Sequence, residues 1–291
     1  MKSNRYYSGD QPLKLHKPLV IAFFFTFAAL AVIPSASAAA DITPPTLNLP
    51  AASGFVSGTT IGAMAPDDEG YLQATGELRM NIRWTASDGS GICGSSYRAV
   101  YAGSAPALWS SWSSSMSLSY VTSDYEDQFG GGGGHIDGYD VRVRDCARNI
   151  TQRFFGNRPR VYQEDGASFG YGDLAVSYSG VWGTSTCTCW SGGKDRKTSA
   201  AGARANFTFD SGGPVAVVME KAPNRGKAKV LIDGVLRATV DTYASTPTHR
   251  SVVWTGTLSG AGHTVSVVNS ATPGRPRIDV DAVMINPVFS P

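Results

Sequence analysis

The chain has 291 residues, of which only 16% are charged, while 33 are glycine, and its formal net charge is +2. This composition favours a secreted all-β protein with many turns over a helical cytosolic protein. The length predicts two domains once the N-terminal segment is set aside.

Residues Met1 to Ala38 predict an export signal. A basic leader precedes an apolar run from Leu19 to Ile33, and Ala36-Ser37-Ala38 forms a cleavage site of small residues. The alternative is an uncleaved membrane anchor, but the run is short for spanning and Pro34 disfavours a continuing helix. We therefore expect a cleaved signal of bacterial character and a secreted, extracellular product.

Cleavage would reverse the sign of the net charge. It removes four basic residues and one acidic residue, which leaves 21 basic against 22 acidic side chains and a net charge of −1. No bulk positive charge then remains to bind nucleic acid or an anionic membrane. After the signal no second apolar stretch is long enough to span a bilayer, so we expect no membrane partner.

The four cysteines are an even number, as expected for disulfides in an oxidising compartment. Three pairings are open. We favour Cys93 with Cys146 and Cys187 with Cys189, because each bond then stays inside one predicted domain, although a Cys-x-Cys ring is tight. A zinc site is disfavoured, since neither Cys-x₂-Cys pairs nor clustered histidines are present.

The first half of the mature chain contains alternating strand patterns. From Glu77 to Ala86 every second residue is apolar, and the pattern returns between Tyr139 and Arg144. Five consecutive glycines, Gly130 to Gly134, predict a mobile loop. Trp109 and Trp112 are flanked by serines; either they stack on sugar rings or they pack against the sandwich.

Three segments of this half resemble bacterial immunoglobulin-like and fibronectin type III-like modules. They are the Asp41 to Pro45 opening, Trp84 to Ile92 and Tyr139 to Asn149. The resemblance implies an Ig-like β-sandwich over residues 41–160. Two cysteines depart from the family pattern: Cys93 in the first strand-joining turn and Cys146 after the late strand.

The second half is a succession of short strand-like runs separated by Gly, Pro and Asp turns. Its clearest unit is a predicted hairpin in which Asp233-Gly234 forms a type I′ turn between two β-prone runs. Such a series predicts a second sandwich or jelly roll after a boundary at Glu164 to Gly166. The predicted fold class is thus all-β, with two β-sandwich domains.

Four motifs of this half resemble the galactose-binding-domain-like β-sandwich found in carbohydrate-binding modules. They begin at Tyr178, Arg225, Leu258 and Asp279, and the resemblance implies a jelly-roll sandwich over residues 164–287. The same fold binds sugars, lipids or nothing, so the ligand does not follow from it. Related sandwiches often carry a structural calcium ion; no other cofactor is expected, and no dense acidic loop demands this one.

Relatives of this fold often hold ligands on loops at one end, which here corresponds to the segment from Tyr178 to Ala203. An indole can cover the C–H face of a sugar, while charged side chains bind its hydroxyls. The candidate ligand-binding residues are Tyr178, Trp182, Trp190, Asp195 and Arg196. The alternative is that Trp182 is buried in the sheet and Trp190 caps the disulfide. His263 matches a structural turn of the family and is interpreted as hydrogen-bonded framework.

No metalloprotease, nucleophile-elbow or phosphate-loop motif is present, so the sequence predicts a protein that is not an enzyme. The leading hypothesis is a secreted, non-catalytic protein that binds a glycan or cell-wall polysaccharide through its C-terminal sandwich. One alternative is an extracellular structural or adhesion module that binds a protein. The other is an uncharacterised hydrolase or its accessory protein.

Overall fold

Strands make up nearly all of the regular structure in the computed structural model, which describes residues 40–50, 54–61, 63–66, 72–75, 78–101, 105–122, 136–156, 159–165 and 174–286. The predicted export signal and the glycine run Gly130 to Gly134 lie outside the described residues. Within these ranges one 3-10 turn, Ser191–Gly193, interrupts the strands, and no helix has the length and apolar character needed to cross a membrane. The all-β prediction is confirmed.

The described strands follow one another in short, turn-separated steps. They are β1 (Thr46–Asn48), β2 (Gly54–Phe55), β3 (Ala63–Pro66), β4 (Leu72–Thr75), β5 (Leu78–Arg83), β6 (Thr85–Ser87), β7 (Ile92–Tyr101), β8 (Ser117–Thr122), β9 (Ile136–Asp145), β10 (Ile150–Gly156), β11 (Arg160–Gln163), β12 (Leu174–Ser179), β13 (Gly183–Thr186), β14 (Lys194–Thr198), β15 (Arg204–Phe209), β16 (Gly213–Lys221), β17 (Lys227–Ile232), β18 (Val235–Asp241), β19 (Thr248–Leu258), β20 (His263–Asn269) and β21 (Ile278–Ile285).

The N-terminal half packs small antiparallel sheets around one apolar core. The sheets have the orders β2-β5-β8 and β10-β9-β7, and the pairs β1-β6 and β3-β4 flank them. Met80, Ile82 and Trp84 are at most 3% exposed, as their alternation predicts. Ile82 and Trp84 share one core with Tyr139, Val141 and Val143 of β9, whereas Met80 packs against the C-terminal half.

The C-terminal half is a sandwich of two facing antiparallel sheets. One has the order β13-β14-β21-β16-β19, with β11 beside β14 on the same edge of β21; the other has the order β12-β15-β20-β17-β18. Both contribute apolar side chains to one core, including Phe207, Val217 and Val265, which have no exposed surface. Edge strands β18 and β19 border one open side of this sandwich, and β12 and β13 border the other.

The predicted hairpin is present, and its turn has the predicted conformation. β17 and β18 pair antiparallel around Asp233 and Gly234, whose φ angles are +51° and +78°. Positive φ at both central positions is the condition for a type I′ turn. The register slips by one residue beside Leu231, which leaves Arg237 opposite no partner, as in a β-bulge.

The two halves share a hydrogen-bonded edge and an apolar cluster. The segment Gly58–Ile61 lies beside the start of β19, where Gly58 N and Ile61 N donate to carbonyls of Val252 and Arg250, each at 2.9 Å. Phe55, Ile61 and Met80 pack on the outer face of the six-stranded sheet in one buried cluster. We call this buried cluster the shared apolar cluster; its other members are Ala216, Val218, Val252, Ala282 and Met284. The division into domains at residues 160–164 stays a prediction.

Candidate functional site

The five side chains predicted to bind a ligand lie in two groups on opposite faces of β14. Successive side chains of a strand point to opposite faces. Asp195 accordingly is fully buried on one face, while Arg196 reaches the ring of Tyr178 on the other. The structure does not place all five in one concave patch, and their ligand-binding role stays a prediction.

Tyr178, Trp182 and Arg196 form the half-buried group at the open side between β12 and β13. The two rings meet edge to face with centroids 5.1 Å apart, and the guanidinium carbon of Arg196 lies 5.2 Å from the tyrosine ring. The indole Nε1 donates to the carbonyl of Ser179 at 3.0 Å, and the tyrosine hydroxyl donates to the carbonyl of Glu164. Both polar groups therefore already have backbone partners.

Trp190 borders a buried ionic network that contains Asp195. Trp190 is 8% exposed, and its Nε1 donates to Glu220 Oε2 at 3.1 Å. Glu220 also pairs with Arg225 at 3.1 Å. The network, which we call the acidic network, consists of Asp195, Glu220, Arg225, Arg277, Asp279 and Asp281.

Burial makes two carboxyls of the acidic network hard to ionise. The Oδ2 atoms of Asp195 and Asp281 are buried and accept no hydrogen bond from the described residues. Desolvation raises the pKa of Asp195 and holds that of Asp281 well above its ordinary value. The arrangement is suited to fixing β14, β16 and β21 against each other.

Two sets of three carboxylates lie close enough to share a cation. In the buried set, the oxygens of Asp195, Glu220 and Asp279 lie within 4.8 Å of one another, but Arg225 and Arg277 already contact two of them. Two of the three carboxylates in this set are therefore already paired with guanidinium groups. The other set is Asp41, Asp88 and Asp145. In this set, the backbone N and the Nδ2 of Asn149 donate hydrogen bonds to the two carboxylate oxygens of Asp145. The structural calcium ion that the family resemblance left open stays untested.

Both predicted disulfides are present. Cys93–Cys146 connects the start of β7 to the turn after β9. Cys187–Cys189 closes the loop that leads to Trp190. The carbonyl of Cys189 accepts a hydrogen bond from Arg250 at 3.1 Å, and the same guanidinium contacts the carbonyl of Ile61 at 3.0 Å. One side chain thereby joins this loop, β19 and the N-terminal half.

A groove that the sequence interpretation missed lies at the other open side of the sandwich. It has a volume of about 470 Å³ and runs between edge strands β18 and β19. We call it the edge groove. Its lining residues are Ile232, Asp233, Arg237, Trp254, Thr255, Gly256, Thr257, Leu258, Ser259 and His263.

The wall of the edge groove is the indole of Trp254. Trp254, Gly256 and Leu258 alternate on β19, and the half-buried indole lies over Gly256. A Cβ atom at position 256 would stand 2.5 Å from the indole carbon Cη2, closer than any real contact. Glycine therefore lets the ring lie flat along the strand and keep one surface toward the groove.

Polar side chains fill the rim of the edge groove. Asp233 accepts hydrogen bonds from Thr264 N at 2.9 Å and pairs with His263 Nδ1 at 2.6 Å, while His263 Nε2 lies 3.1 Å from the Ser259 hydroxyl. These bonds, led by that from Thr264, lower the pKa of Asp233. The prediction that His263 is hydrogen-bonded framework agrees with this geometry. Arg237 is exposed, and the bulge turns it toward the groove.

The signals for the edge groove were present in the sequence but far apart. The Asp-Gly turn, a Trp-x-Gly-x-Leu alternation and the Gly-x-His turn were each visible. Only the sheet order, which brings β18 and β19 to the same side, joins them into one cavity.

Trp109 and Trp112 lie on the outer face of the sheet β10-β9-β7, between arginine side chains. The guanidinium carbons of Arg98 and Arg142 are 4.6 and 4.0 Å from the Trp109 ring centroid. Those of Arg142 and Arg144 are each 4.5 Å from the Trp112 centroid. We call these five side chains the Arg–Trp stack. Guanidinium groups thus lie over both indoles, where a sugar ring would stack under one of the two alternatives left open by the sequence.

No family model and no curated protein sequence matches the chain. Solved structures that match part of the chain include the Agl-KA catalytic domain, with a TM-score of 0.33 and 16% identity over 46% of this chain and 28% of that one. The CBM36-1 domain of a xylanase from the hindgut metagenome of Trinervitermes trinervoides has a TM-score of 0.33 and 17% identity over 46% of this chain and all of that one. The GH87 alpha-1,3-glucanase of Streptomyces thermodiastaticus strain HF3-3 has a TM-score of 0.30 and 16% identity, over 45% of this chain and 26% of that one.

These comparisons contradict the prediction that the chain is not an enzyme, because several of the similar structures are catalytic domains of glycoside hydrolases. We withdraw that prediction. The chain spans less than a third of the length of those catalytic domains. The resemblance to immunoglobulin-like and fibronectin type III-like modules is not confirmed by them and stays a prediction.

Proposed function

We propose that the edge groove of the C-terminal sandwich binds a carbohydrate. The observation that carries this proposal is the Trp254 indole, held flat over Gly256 beside the polar rim. Sugars present a C–H face that an indole covers and hydroxyls that charged and hydroxyl side chains bind.

The size and composition of the groove support this choice. A volume of about 470 Å³ lies within the range of roughly 300–1,000 Å³ for small-ligand sites. Arg237 supplies guanidinium donors at one edge, and Ser259 supplies a hydroxyl at the rim. The groove is bounded by two edge strands, so a polysaccharide chain is able to enter and leave along it.

The groove differs from the segment predicted to bind the ligand. Within the segment from Tyr178 to Ala203, Trp190 is only 8% exposed, so its ring offers almost no surface to a ligand. Trp254 thus replaces Trp190 as the aromatic residue that we expect to contact a sugar. Export through Met1 to Ala38 and an extracellular location complete the proposal and rest on the sequence alone.

The test is glycan binding by the full chain. The similar structures include complexes with nigerose and tetrasaccharides and a module from a xylanase, so α-1,3-glucan and xylan are the first probes. We expect Trp254→Ala and Arg237→Gln to weaken binding at least about tenfold, which corresponds to roughly 1.4 kcal/mol. Reducing-end release in the same samples reports any hydrolysis.

Trp182→Ala is the matched control, since it removes an indole at the opposite open side. If Trp182→Ala abolishes binding while Trp254→Ala and Arg237→Gln leave it intact, the edge groove is not the site. Arg237 is exposed, so its variant keeps the test valid even where the loss of Trp254 disturbs the core.

A further inference from the structure

The Arg–Trp stack alternates three guanidinium groups with two indoles in the order Arg98, Trp109, Arg142, Trp112, Arg144. Each neighbouring pair is 4.0 to 4.6 Å apart, measured from the guanidinium carbon to the ring centroid. At these distances cations are attracted to the ring faces. The stack lies outside the edge groove and plays no part in the proposed function.

Strand register produces the stack. Arg142 and Arg144 point to the outer face of β9, where Ser96 and Gly94 of β7 stand opposite them. The segment that carries both indoles runs beside β7, with Ser110 N donating to the Tyr97 carbonyl at 2.8 Å. A Cβ atom at position 94 would lie 3.4 Å from both Trp112 and Arg144, so glycine gives the stack its room.

The stack carries more positive than negative charge. The described contacts show one carboxylate neighbour, Asp140. Its Oδ2 accepts a hydrogen bond from Arg98 Nε and pairs with Arg98 Nη2, both at 2.9 Å. Desolvation, followed by the charges of Arg98 and Arg144, lowers the pKa of Arg142. Among the described residues no carboxylate pairs with Arg142 or Arg144, so these two side chains add two positive charges to this face, whereas the mature chain is expected to be nearly neutral.

Stacking leaves the guanidinium edges available. Donor N–H groups lie in the guanidinium plane, so a ring that covers the face does not use them. Arg142 and Arg144 are both half-buried, so part of each side chain is open to solvent, although Arg142 Nε itself is buried and has no hydrogen-bond partner among the described residues. Planar edges with paired donors match the geometry of a carboxylate, which accepts two parallel hydrogen bonds.

A second feature beside the stack indicates a polyhydroxylated ligand. The segment that carries the indoles borders a groove of about 420 Å³ between β7 and β8. Seven serines line it: Ser95, Ser110, Ser111, Ser113, Ser115, Ser117 and Ser119. Serine hydroxyls both donate and accept hydrogen bonds, as sugar hydroxyls do. Single-stranded nucleic acid is disfavoured, since it stacks its bases on free aromatic faces, and guanidinium groups lie over both indoles.

We propose that the Arg–Trp stack, with the serine-lined groove beside it, binds the carboxylates of an acidic, uronate-bearing polysaccharide. Arg142 and Arg144 supply the charged donors. The indoles hold both guanidinium groups in position, which reduces the side-chain entropy lost on binding.

The experiment measures retention of the full chain by polygalacturonate, dextran sulfate, neutral dextran and a single-stranded oligonucleotide. We expect binding to polygalacturonate that weakens with added salt, and no binding to neutral dextran. Arg144→Gln and Arg142→Gln should each weaken this binding at least about fivefold. Arg153→Gln is the matched control. Arg153 is exposed on the same sheet, and it pairs in register with Val141, whose side chain faces inward and away from the stack.

Several outcomes would overturn the proposal. They are equal losses in Arg153→Gln and Arg144→Gln, no retention by polygalacturonate, or tighter binding to dextran sulfate or the oligonucleotide. Melting temperatures show whether the glutamine variants stay folded. Trp254→Ala should leave polygalacturonate binding unchanged, so failure here is distinguishable from failure of the edge groove.

Discussion

At the scale of single residues, position 256 controls the edge groove. Gly256 has no positive φ, so its role is the space it leaves for the Trp254 indole and not its backbone freedom. The sequence shows a glycine in a strand, which indicates a bulge or a close approach. It does not show which atom approaches, because the sequence does not determine the rotamer of Trp254.

Gly256→Ala should move the indole and spare the fold. The clash of the new Cβ is with the far end of a side chain, so the ring swings aside while the strand keeps its pairing. We expect carbohydrate binding to fall about tenfold and the free energy of unfolding to fall by roughly 1–3 kcal/mol, because the displaced indole packs against the core. Titration calorimetry and urea unfolding measure the two quantities.

Gly260→Ala is the control for this substitution. A Cβ at position 260 meets nothing within 4 Å, and the residue lies just beyond the groove lining. Equal binding by the wild type and Gly256→Ala would show that the orientation of Trp254 does not matter.

At the scale of elements, strands with alternating apolar residues were predictable and polar strands were not. The alternation around Met80 and Ile82 predicted β5, and the Asp-Gly turn predicted the hairpin β17–β18. The hairpin β13–β14 was missed inside a segment interpreted as a ligand-binding loop. Its Lys-Asp-Arg-Lys-Thr strand buries Asp195. Burying a carboxylate costs less when charged partners surround it, and here those partners come from strands distant in sequence.

The two disulfides should differ in their effect on stability. Cys93–Cys146 spans 53 residues of sequence and Cys187–Cys189 spans 2. In the chain-entropy model a longer closed loop restricts the unfolded chain more, and a bond of the first kind contributes roughly 4 kcal/mol. We expect the Cys93→Ser/Cys146→Ser double variant to lose about that much in urea unfolding.

The Cys187→Ser/Cys189→Ser double variant is the comparison, with an expected loss of less than about half as much. Equal losses in the two variants would mean that loop closure does not determine the contribution of either bond.

At the scale of the whole molecule, buried carboxyls predict a stability that decreases as the pH rises. Burial raises the pKa of Glu164 from its ordinary 4.5 to about 7, and desolvation raises those of Asp195 and Asp281 in the same direction. At a pH between the unfolded and the folded pKa of such a carboxyl, the unfolded chain has released a proton that the folded chain retains. By linkage, the free energy of unfolding falls with rising pH through this window.

Glu164→Gln should flatten this dependence. Glutamine does not ionise, so the variant avoids the cost of a buried charge and should gain on the order of 2 kcal/mol over the wild type at about pH 8. Thermal unfolding at several pH values measures the slope. Asp210→Asn, which changes an exposed carboxylate, is the control. A wild-type stability that increases from about pH 5 to 7 would contradict the assignment.

The shared apolar cluster has a practical consequence for any attempt to divide the protein. Cutting the chain near Pro159 would uncover Val218, Val252 and Met284, which Phe55 and Met80 now cover. A hydrophobic surface of this kind attracts detergents, carrier resins and other copies of itself. Apparent affinities of an isolated half would then mix adhesion at the cut face with recognition, so assigning each ligand requires single substitutions in the undivided chain.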